Sequence, residues 1–469
     1  MSFSAMKQFA WPAHMFKEYD IRGRAGEELD EPFAYWLGRA FADMMQKEGE
    51  KRAVVAHDNR LSSPALHRSL KDGLLDGGCD VVDIGLSTTP MFYYSLHYTH
   101  IPCGMIVTAS HNPGDENGFK IAMGKTTIYG ERIQALRRAM ERLAKEQPRP
   151  KTPRGREEML SFVPAYKDML AEKIKLGPRK LKVVVDCGNG TPSIIAPDVL
   201  KAWGCDVIPL YCESDPTFPN HHPDPVVPEN LVDLIETVRK ERADLGLAFD
   251  GDGDRIGVVD ETGAIRWGDQ LMILFWREIL KHHPGAEAPV EVKCSQALVE
   301  EIERLGGKPF FHRTGHSHVK ATLRRNPTIP FAGEMSGHLF FNDEFYGYDD
   351  ALYAAGRLLR LLSHDVRPLS AWFADVPQYA ATPETRVACP EEKKAAAIAR
   401  VKEKFAGRFP VVDVDGARIQ FPDGWGLVRP SNTQPILVLR AEARTEETLA
   451  QIKQQLADCL RTLELSVDW

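Results

Sequence analysis

Gly78-Cys79-Asp80-Val81-Val82 returns later in the chain as Gly204-Cys205-Asp206-Val207-Ile208. Each copy is a glycine-broken helix end followed by an apolar run too short for a helix, the signature of the second strand of a β-α-β unit. Ahead of the first copy lie an apolar strand at 53–56 and a helix carrying Leu66, Leu70 and Leu74 that stops at Gly77-Gly78. Ahead of the second lies a strand at 181–185. A third, weaker copy starts at 290–292 and returns at Gly306-Gly307 before Pro309-Phe310-Phe311. The chain's first clear element is a helix opening at Asp30, whose carboxylate can cap free N–H groups, with Pro32 in its first turn. Its Phe33, Trp36, Leu37, Ala40, Phe41, Met44 and Met45 recur at helical spacing and predict a buried face.

Each copy supplies one further strand that runs into an unusual polar loop. Residues 105–107 precede Thr108-Ala109-Ser110-His111-Asn112-Pro113, residues 245–249 precede Asp250-Gly251-Asp252-Gly253-Asp254-Arg255, and residues 329–332 precede Gly333-Glu334-Met335-Ser336-Gly337-His338. The remainder is built differently: a strand near 385–387, a helix over 391–405, a hairpin turning at Asp415-Gly416, a strand at 436–439 and a last helix from Glu446. Between its strands lies a fourth polar loop, Arg429-Pro430-Ser431-Asn432-Thr433-Gln434-Pro435. The expected fold class is therefore α/β, with three similar α/β domains with mixed sheets followed by a smaller α+β domain. A Pro-rich, basic stretch at 147–156, a restart of the pattern after Thr262 and the segment from Pro368 to Pro377 set the boundaries at 1–157, 158–264, 265–376 and 377–469.

With 469 residues, several domains are required. A 43% hydrophobic and 27% charged composition excludes disordered and collagen-like chains, and a formal charge of −7 argues against non-specific nucleic-acid binding. The eight cysteines are scattered, with no CxxC pair, so neither zinc nor a disulfide framework is indicated. There is no leader-like N-terminus and no apolar run long enough to span a bilayer. A cytoplasmic protein without membrane or nucleic-acid partners is expected.

Asp250, Asp252 and Asp254 alternate with glycines, so three carboxylates can converge on a hard divalent cation, magnesium being the natural choice. A solvated acidic turn is the bland alternative. An EF-hand would place Glu261 at its twelfth position, but Arg255 stands where such a loop needs glycine, and the flanks read as strands. An aspartyl-phosphate hydrolase loop fits imperfectly. Ser110 can accept a phosphoryl group if a metal offsets the charge and a neighbour handles the proton; a serine in a turn is the alternative, and a hydrolase elbow lacks its glycines. Glu334, Ser336 and His338 suit sugar hydroxyls and proton transfer, although a histidine satisfied in the core is equally compatible. Arg429 with Ser431, Asn432 and Thr433 suits a phosphate, against a plain polar hairpin connection.

These four loops, in this order and one per domain, resemble the α-D-phosphohexomutase family over essentially the whole chain. Tyr19-Asp20-Ile21-Arg22-Gly23, Lys293 in Val292-Lys293-Cys294, and Thr314-Gly315-His316 extend the resemblance, and Gly-Glu-Met-Ser-Gly-His looks like the bacterial phosphomannomutase/phosphoglucomutase branch. The resemblance implies domains arranged around a central cleft that closes by rotation of the last one. It implies a phosphorylated Ser110 that also ligates one Mg²⁺ held by Asp250, Asp252 and Asp254, and transfer between the 1- and 6-positions of mannose or glucose through a hexose 1,6-bisphosphate. Glu334 and Ser336 would grip the sugar's 3- and 4-hydroxyls. Arg429, Ser431, Asn432 and Thr433, with Lys293, His316 and Tyr19, would bind the substrate and its distal phosphate. Arg22, Lys120, Arg255, His338 and His111 would surround the transfer point, with Lys120 and His338 handling protons. Other readings are a phosphoglucosamine mutase, a sugar-phosphate binding protein without catalysis, or a phosphatase. A monomer or weak dimer is expected.

Overall fold

Asp30 accepts the Phe33 N–H at 2.8 Å and so opens the helix Glu31–Lys47, with Pro32 in its first turn. The computed structural model describes residues 11–431, 434–467 and 469. The first sheet has the spatial order Ile21–Arg24, Glu116–Met123, Cys103–Val107, Arg52–His57, Asp80–Leu86, Glu157–Met159. Its last four strands run parallel, and Glu116–Met123 is antiparallel to both of its neighbours. The predicted β-α-β unit is present, with the helix Ser63–Asp76 between the strands Arg52–His57 and Asp80–Leu86.

The second sheet repeats the plan: Lys182–Asp186 lies between Asp206–Leu210 and Leu245–Phe249, all parallel, and Ile256–Asp260 returns antiparallel. The third sheet has the order Lys308–His312, Glu287–Glu291, Phe331–Gly333, Leu339–Phe341. Its strands sit a few residues from the expected 290–292 and 329–332, because Val292 and Lys293 belong to the turn that follows the strand. A strand returning antiparallel after the serine and acidic loops makes these sheets mixed, as expected. It also places each loop at the carboxyl end of parallel strands, where open α/β sheets present functional groups.

The last sheet is antiparallel around Ile436–Ala443, backed by the helices Glu391–Phe405 and Glu446–Arg461. The hairpin at Asp415-Gly416 joins Val411–Val412 to Ala417–Phe421. Among the described residues no helix is long and apolar enough to cross a membrane.

Contacts divide the chain into two compact units. The first runs to Arg266 and takes back 336–339 and 344–370; the second holds 267–335, 340–343 and 371–469. Phe33, Phe41, Phe119 and Met105 are fully buried in a core of the first unit, while Val401, Phe405, Leu437 and Leu456 fill one under the C-terminal sheet.

In the first unit Asp350 caps the helix Ala351–Ser363 by accepting the Tyr353 N–H at 2.8 Å, and Tyr166 donates its hydroxyl to the same carboxylate at 2.7 Å. Burial pushes the Asp350 carboxyl up to about 7, so the folded state holds its proton more tightly than the unfolded chain. The stability from this group is complete below about pH 4 and is lost as the pH rises through about 7. Asp350→Asn should therefore flatten that decline when unfolding is followed by denaturant titration between pH 4 and 8.

Candidate active site

Ser110 sits in the left-handed region, with φ +53°, and is 3% exposed. A non-glycine residue held there stores strain of about 1–3 kcal/mol, a feature that clusters at functional sites. Arg60, fully buried, maintains this conformation. Its guanidinium donates to the carbonyls of Ser110 at 2.8 Å, Asn112 at 2.6 Å, Pro113 at 2.6 Å and Glu116 at 3.0 Å. Arg22 donates to the Ala109 carbonyl and to Asn112 Oδ1 from the other side, and Asp20 orients it at 2.8 Å.

The acidic loop meets the serine directly. Ser110 Oγ donates to Asp250 Oδ2 at 2.6 Å, and His111 Nδ1 lies 3.2 Å from the same hydroxyl. Gly251 is required here, because a Cβ at that position would collide with the Ser110 carbonyl oxygen. Asp250 Oδ1 accepts the backbone N–H groups of Gly253, Asp254 and Arg255, which winds the loop around its first carboxylate. Thr89 and Thr108 donate to Asp252 Oδ2 at 2.6 and 3.2 Å. Lys120, from the returning strand Glu116–Met123, lies between Asp252, at 2.7 Å, and Asp254.

All three aspartates are fully buried, and their carboxylates lie within 4.8 Å of one another. Asp252 Oδ1 and Asp254 Oδ1 are buried without a hydrogen-bond donor. Converging hard oxygens with lone pairs to spare fit a divalent cation. Burial, with the charges of Asp254 and Asp252, pushes Asp250 up to about 7. Burial alone would lower Lys120, but Asp252 and Asp254 outweigh it and drive its pKa up. Desolvation, reinforced by Arg255, Arg22, His338 and Lys120, holds His111 well below the ordinary histidine range. Arg255 reaches Asp250 and Asp224, each at 3.2 Å. His338 Nδ1 lies 3.0 Å from Asp349 and 3.7 Å from Asp254. Tyr19 flanks the Asp20–Arg22 pair, and Ser336 is half-buried two residues before His338.

In the second unit, Glu334 accepts the Gly315 N–H at 2.5 Å, and Lys320 Nζ lies 2.9 Å from His316 Nδ1. Lys293 pairs with Glu384 at 3.0 Å and lies 3.6 Å from Glu291. Two buried arginines hold its backbone: Arg418 donates to the carbonyls of Val292 and Cys294 at 2.7 and 2.8 Å, and Arg440 donates to that of Lys293. Asp415 joins Arg429 to the Thr314 turn, accepting Arg429 Nε at 2.9 Å and the Thr314 N–H at 3.1 Å. Ser431 accepts from Lys394 at its carbonyl, 2.9 Å away. Asn432 and Thr433 lie outside the described residues.

Ser110, His111, Arg22, Lys120, Arg255, His338 and the three aspartates thus form one network in the first unit, and in the second Lys293 (through Glu291), Glu334 and Arg429 (through Asp415) are tied to the Thr314-Gly315 turn that precedes His316. Sequence reading passed over Arg60, Asp349, Glu291 and Asp415. Only Arg60 carried a local signal, the polar Asp58-Asn59-Arg60 straight after a parallel strand.

Models of the four phosphoglucomutase/phosphomannomutase domains match in order: alpha/beta/alpha domain I over 13–147, domain II over 164–263, domain III over 267–379 and the C-terminal domain over 384–459. The phosphomannomutase/phosphoglucomutase of Pseudomonas aeruginosa is 44% identical over 465 residues, 99% of each chain. The phosphoglucomutase of Neisseria gonorrhoeae is 40% identical, covering 94% of this chain and 95% of that one. A solved phosphoglucomutase/phosphomannomutase family protein of Burkholderia thailandensis superposes with a TM-score of 0.91 at 40% identity, covering 98% of this chain and 100% of that one. With all four domains matched in order and relatives aligned over nearly the whole length of both chains, the chain belongs to the phosphoglucomutase/phosphomannomutase family, the α-D-phosphohexomutases.

Proposed function

We propose that this protein is a magnesium-dependent phosphohexomutase that interconverts hexose 1-phosphates and hexose 6-phosphates, of mannose, glucose or both, through phosphorylated Ser110. The observation that carries the reading is the 2.6 Å bond from Ser110 Oγ to Asp250, inside a buried triple-aspartate loop and beside a ring of cations. When bound by Asp250, Asp252 and Asp254, magnesium supplies positive charge beside the group being transferred.

Ser110 gives its phosphoryl group to the free hydroxyl of a hexose monophosphate, producing a 1,6-bisphosphate. The bisphosphate turns end over end and returns its other phosphate to Ser110. Arg22, Lys120 and Arg255 stabilise charge on the transferring group, while Lys120 and His338, the latter backed by Asp349, are the residues assigned to proton transfer. Glu334 and Ser336 bind sugar hydroxyls in both poses. Lys293, His316, Arg429, Ser431, Asn432 and Thr433 hold the phosphate that is not reacting, and Tyr19 borders the substrate.

A coupled assay with glucose 1-phosphate, mannose 1-phosphate and glucosamine 1-phosphate, each with and without the matching bisphosphate, tests the proposal. Bisphosphate-stimulated isomerisation of glucose or mannose phosphate is expected. Release of inorganic phosphate in place of isomerisation would make the protein a phosphatase. Because Arg429 serves the distal phosphate, Arg429→Ala should raise KM by about 10- to 100-fold while kcat changes far less. An unchanged KM would put that phosphate elsewhere.

A further inference from the structure

Cys187 and Cys212, neither of them among the residues assigned to chemistry, bring their sulfurs to 3.4 Å on the first unit. Cys187 directly follows the strand Lys182–Asp186, and Cys212 comes two residues after the neighbouring parallel strand Asp206–Leu210, so the sheet itself holds the pair in register. Cys187 is fully buried, whereas Cys212 is half-buried; the other six cysteines are buried. The dithiol therefore pairs one half-buried cysteine with one that is fully buried. That is the layout of an attacking cysteine and a resolving cysteine.

The surroundings connect this pair to the site. Cys187 begins a tight turn in which Gly188 and Asn189 both have positive φ, and its far end is pinned on two sides. The Thr191 N–H donates to the Gly251 carbonyl at 2.9 Å, between the first two aspartates of the acidic loop. Asn59, the neighbour of Arg60, donates to Thr191 Oγ1 at 3.1 Å and to the Asn189 carbonyl at 2.8 Å. On the other strand, Asn189 receives nothing loose either: its N–H donates to the Tyr211 carbonyl at 2.8 Å and its side chain to the Glu213 carbonyl at 2.8 Å. These bonds give a movement of the Cys187 turn a direct route to the acidic loop and to the segment that holds Ser110.

We propose that Cys187 and Cys212 are a reversible oxidation site, at which a hydroperoxide converts the dithiol to a disulfide and lowers the activity of the neighbouring site. The Cys212 thiolate attacks the peroxide, giving a sulfenic acid and hydroxide. The Cys187 thiol then attacks that sulfur, forming the disulfide and releasing water, so two electrons and two protons leave the pair and hydrogen peroxide becomes two waters. A dithiol reverses the change by exchange. The Cys187 thiol beside it draws Cys212 below the ordinary thiol range, while burial pushes Cys187 above it, which favours Cys212 as the first sulfur to react. Closing 3.4 Å to the roughly 2.05 Å of a disulfide moves the sulfurs together by about 1.3 Å; a misplacement of about 1 Å in a catalytic constellation costs on the order of a hundredfold in rate, so passing on part of that movement suffices for a tenfold fall.

The test treats the full-length, metal-loaded protein with hydrogen peroxide and follows free thiols, the peptide cross-link and mutase turnover together. Loss of two thiols, a cross-link between the peptides holding Cys187 and Cys212, and a fall in turnover of about tenfold, reversed by dithiothreitol, are expected. Cys212→Ser should keep its turnover under the same peroxide, and Cys187→Ala should accumulate the sulfenic acid, trapped with dimedone, without cross-linking. Oxidation elsewhere with no 187–212 cross-link, a cross-link with unchanged turnover, or equal inactivation of Cys212→Ser would each overturn the proposal.

Discussion

Ser110→Ala is expected to lower kcat on the order of 10⁴-fold while leaving the fold intact, because in the proposed mechanism it removes the atom that carries the transferred group. The surroundings argue that the fold survives. Asp250 Oδ1 keeps its three backbone donors, Oδ2 keeps Arg255 Nε at 3.2 Å, and Arg60 contacts only the backbone of the serine loop. Alanine has the same Cβ as serine, so the left-handed strain at φ +53° is unchanged. The measurements are bisphosphate-stimulated turnover and the intact mass after incubation with hexose 1,6-bisphosphate. Wild-type protein should gain one phosphoryl group and the variant none. Near-normal turnover in a folded variant would end the phosphoserine mechanism.

The second large effect is expected at Asp252. Its Oδ2 already receives Thr89, Thr108 and Lys120, while its buried Oδ1 has no donor, so Asn at this position replaces an open ligand oxygen and a charge at little cost to packing. Asp252→Asn should reduce turnover by about 10³-fold at ordinary magnesium concentrations, with partial recovery at high magnesium. Stability gives an independent readout. A cation that binds only the folded protein stabilises it by about 2.7 kcal/mol at a hundred times its Kd, and this gain should largely vanish in the variant while the metal-free melting temperature stays close to wild type. A full magnesium-induced rise in the variant would place the metal away from this loop.

The elements most legible in the sequence are those whose signal is local. Asp30 with Pro32, the stop at Gly77-Gly78 and the helix Glu391–Phe405 were readable because caps, glycines and apolar spacing act within a few residues. The polar loops stood out because three carboxylates or a serine between prolines and amides have no reason to follow a buried strand unless the site needs them. What stayed hidden depends on distant segments meeting. Arg60 finds carbonyls 50 to 56 residues away, Asp415 accepts Thr314 across 101, and neither side chain differs in composition from a surface arginine or aspartate. The left-handed Ser110 was equally hidden, since no glycine or asparagine marks it. That conformation is imposed by Arg60 and Arg22, not chosen by the residue.

The division of the chain into units that are not continuous in sequence has a consequence for how the protein is made. The first unit is interrupted after Arg266 and regains its remaining segments only through Ser370, and one of those segments carries His338 to Asp254 while another carries Asp349. A ribosome adding about 5–20 residues per second needs roughly 4–14 s to cover the 72 residues from Arg266 to His338. For that interval the serine loop and the acidic loop are already synthesised but lack their histidine partner. A nascent chain released early at Arg266 would carry the proposed phosphoryl acceptor and Lys120 but not His338 or Asp349, and such truncated products should be recognisable as folded in part but inert.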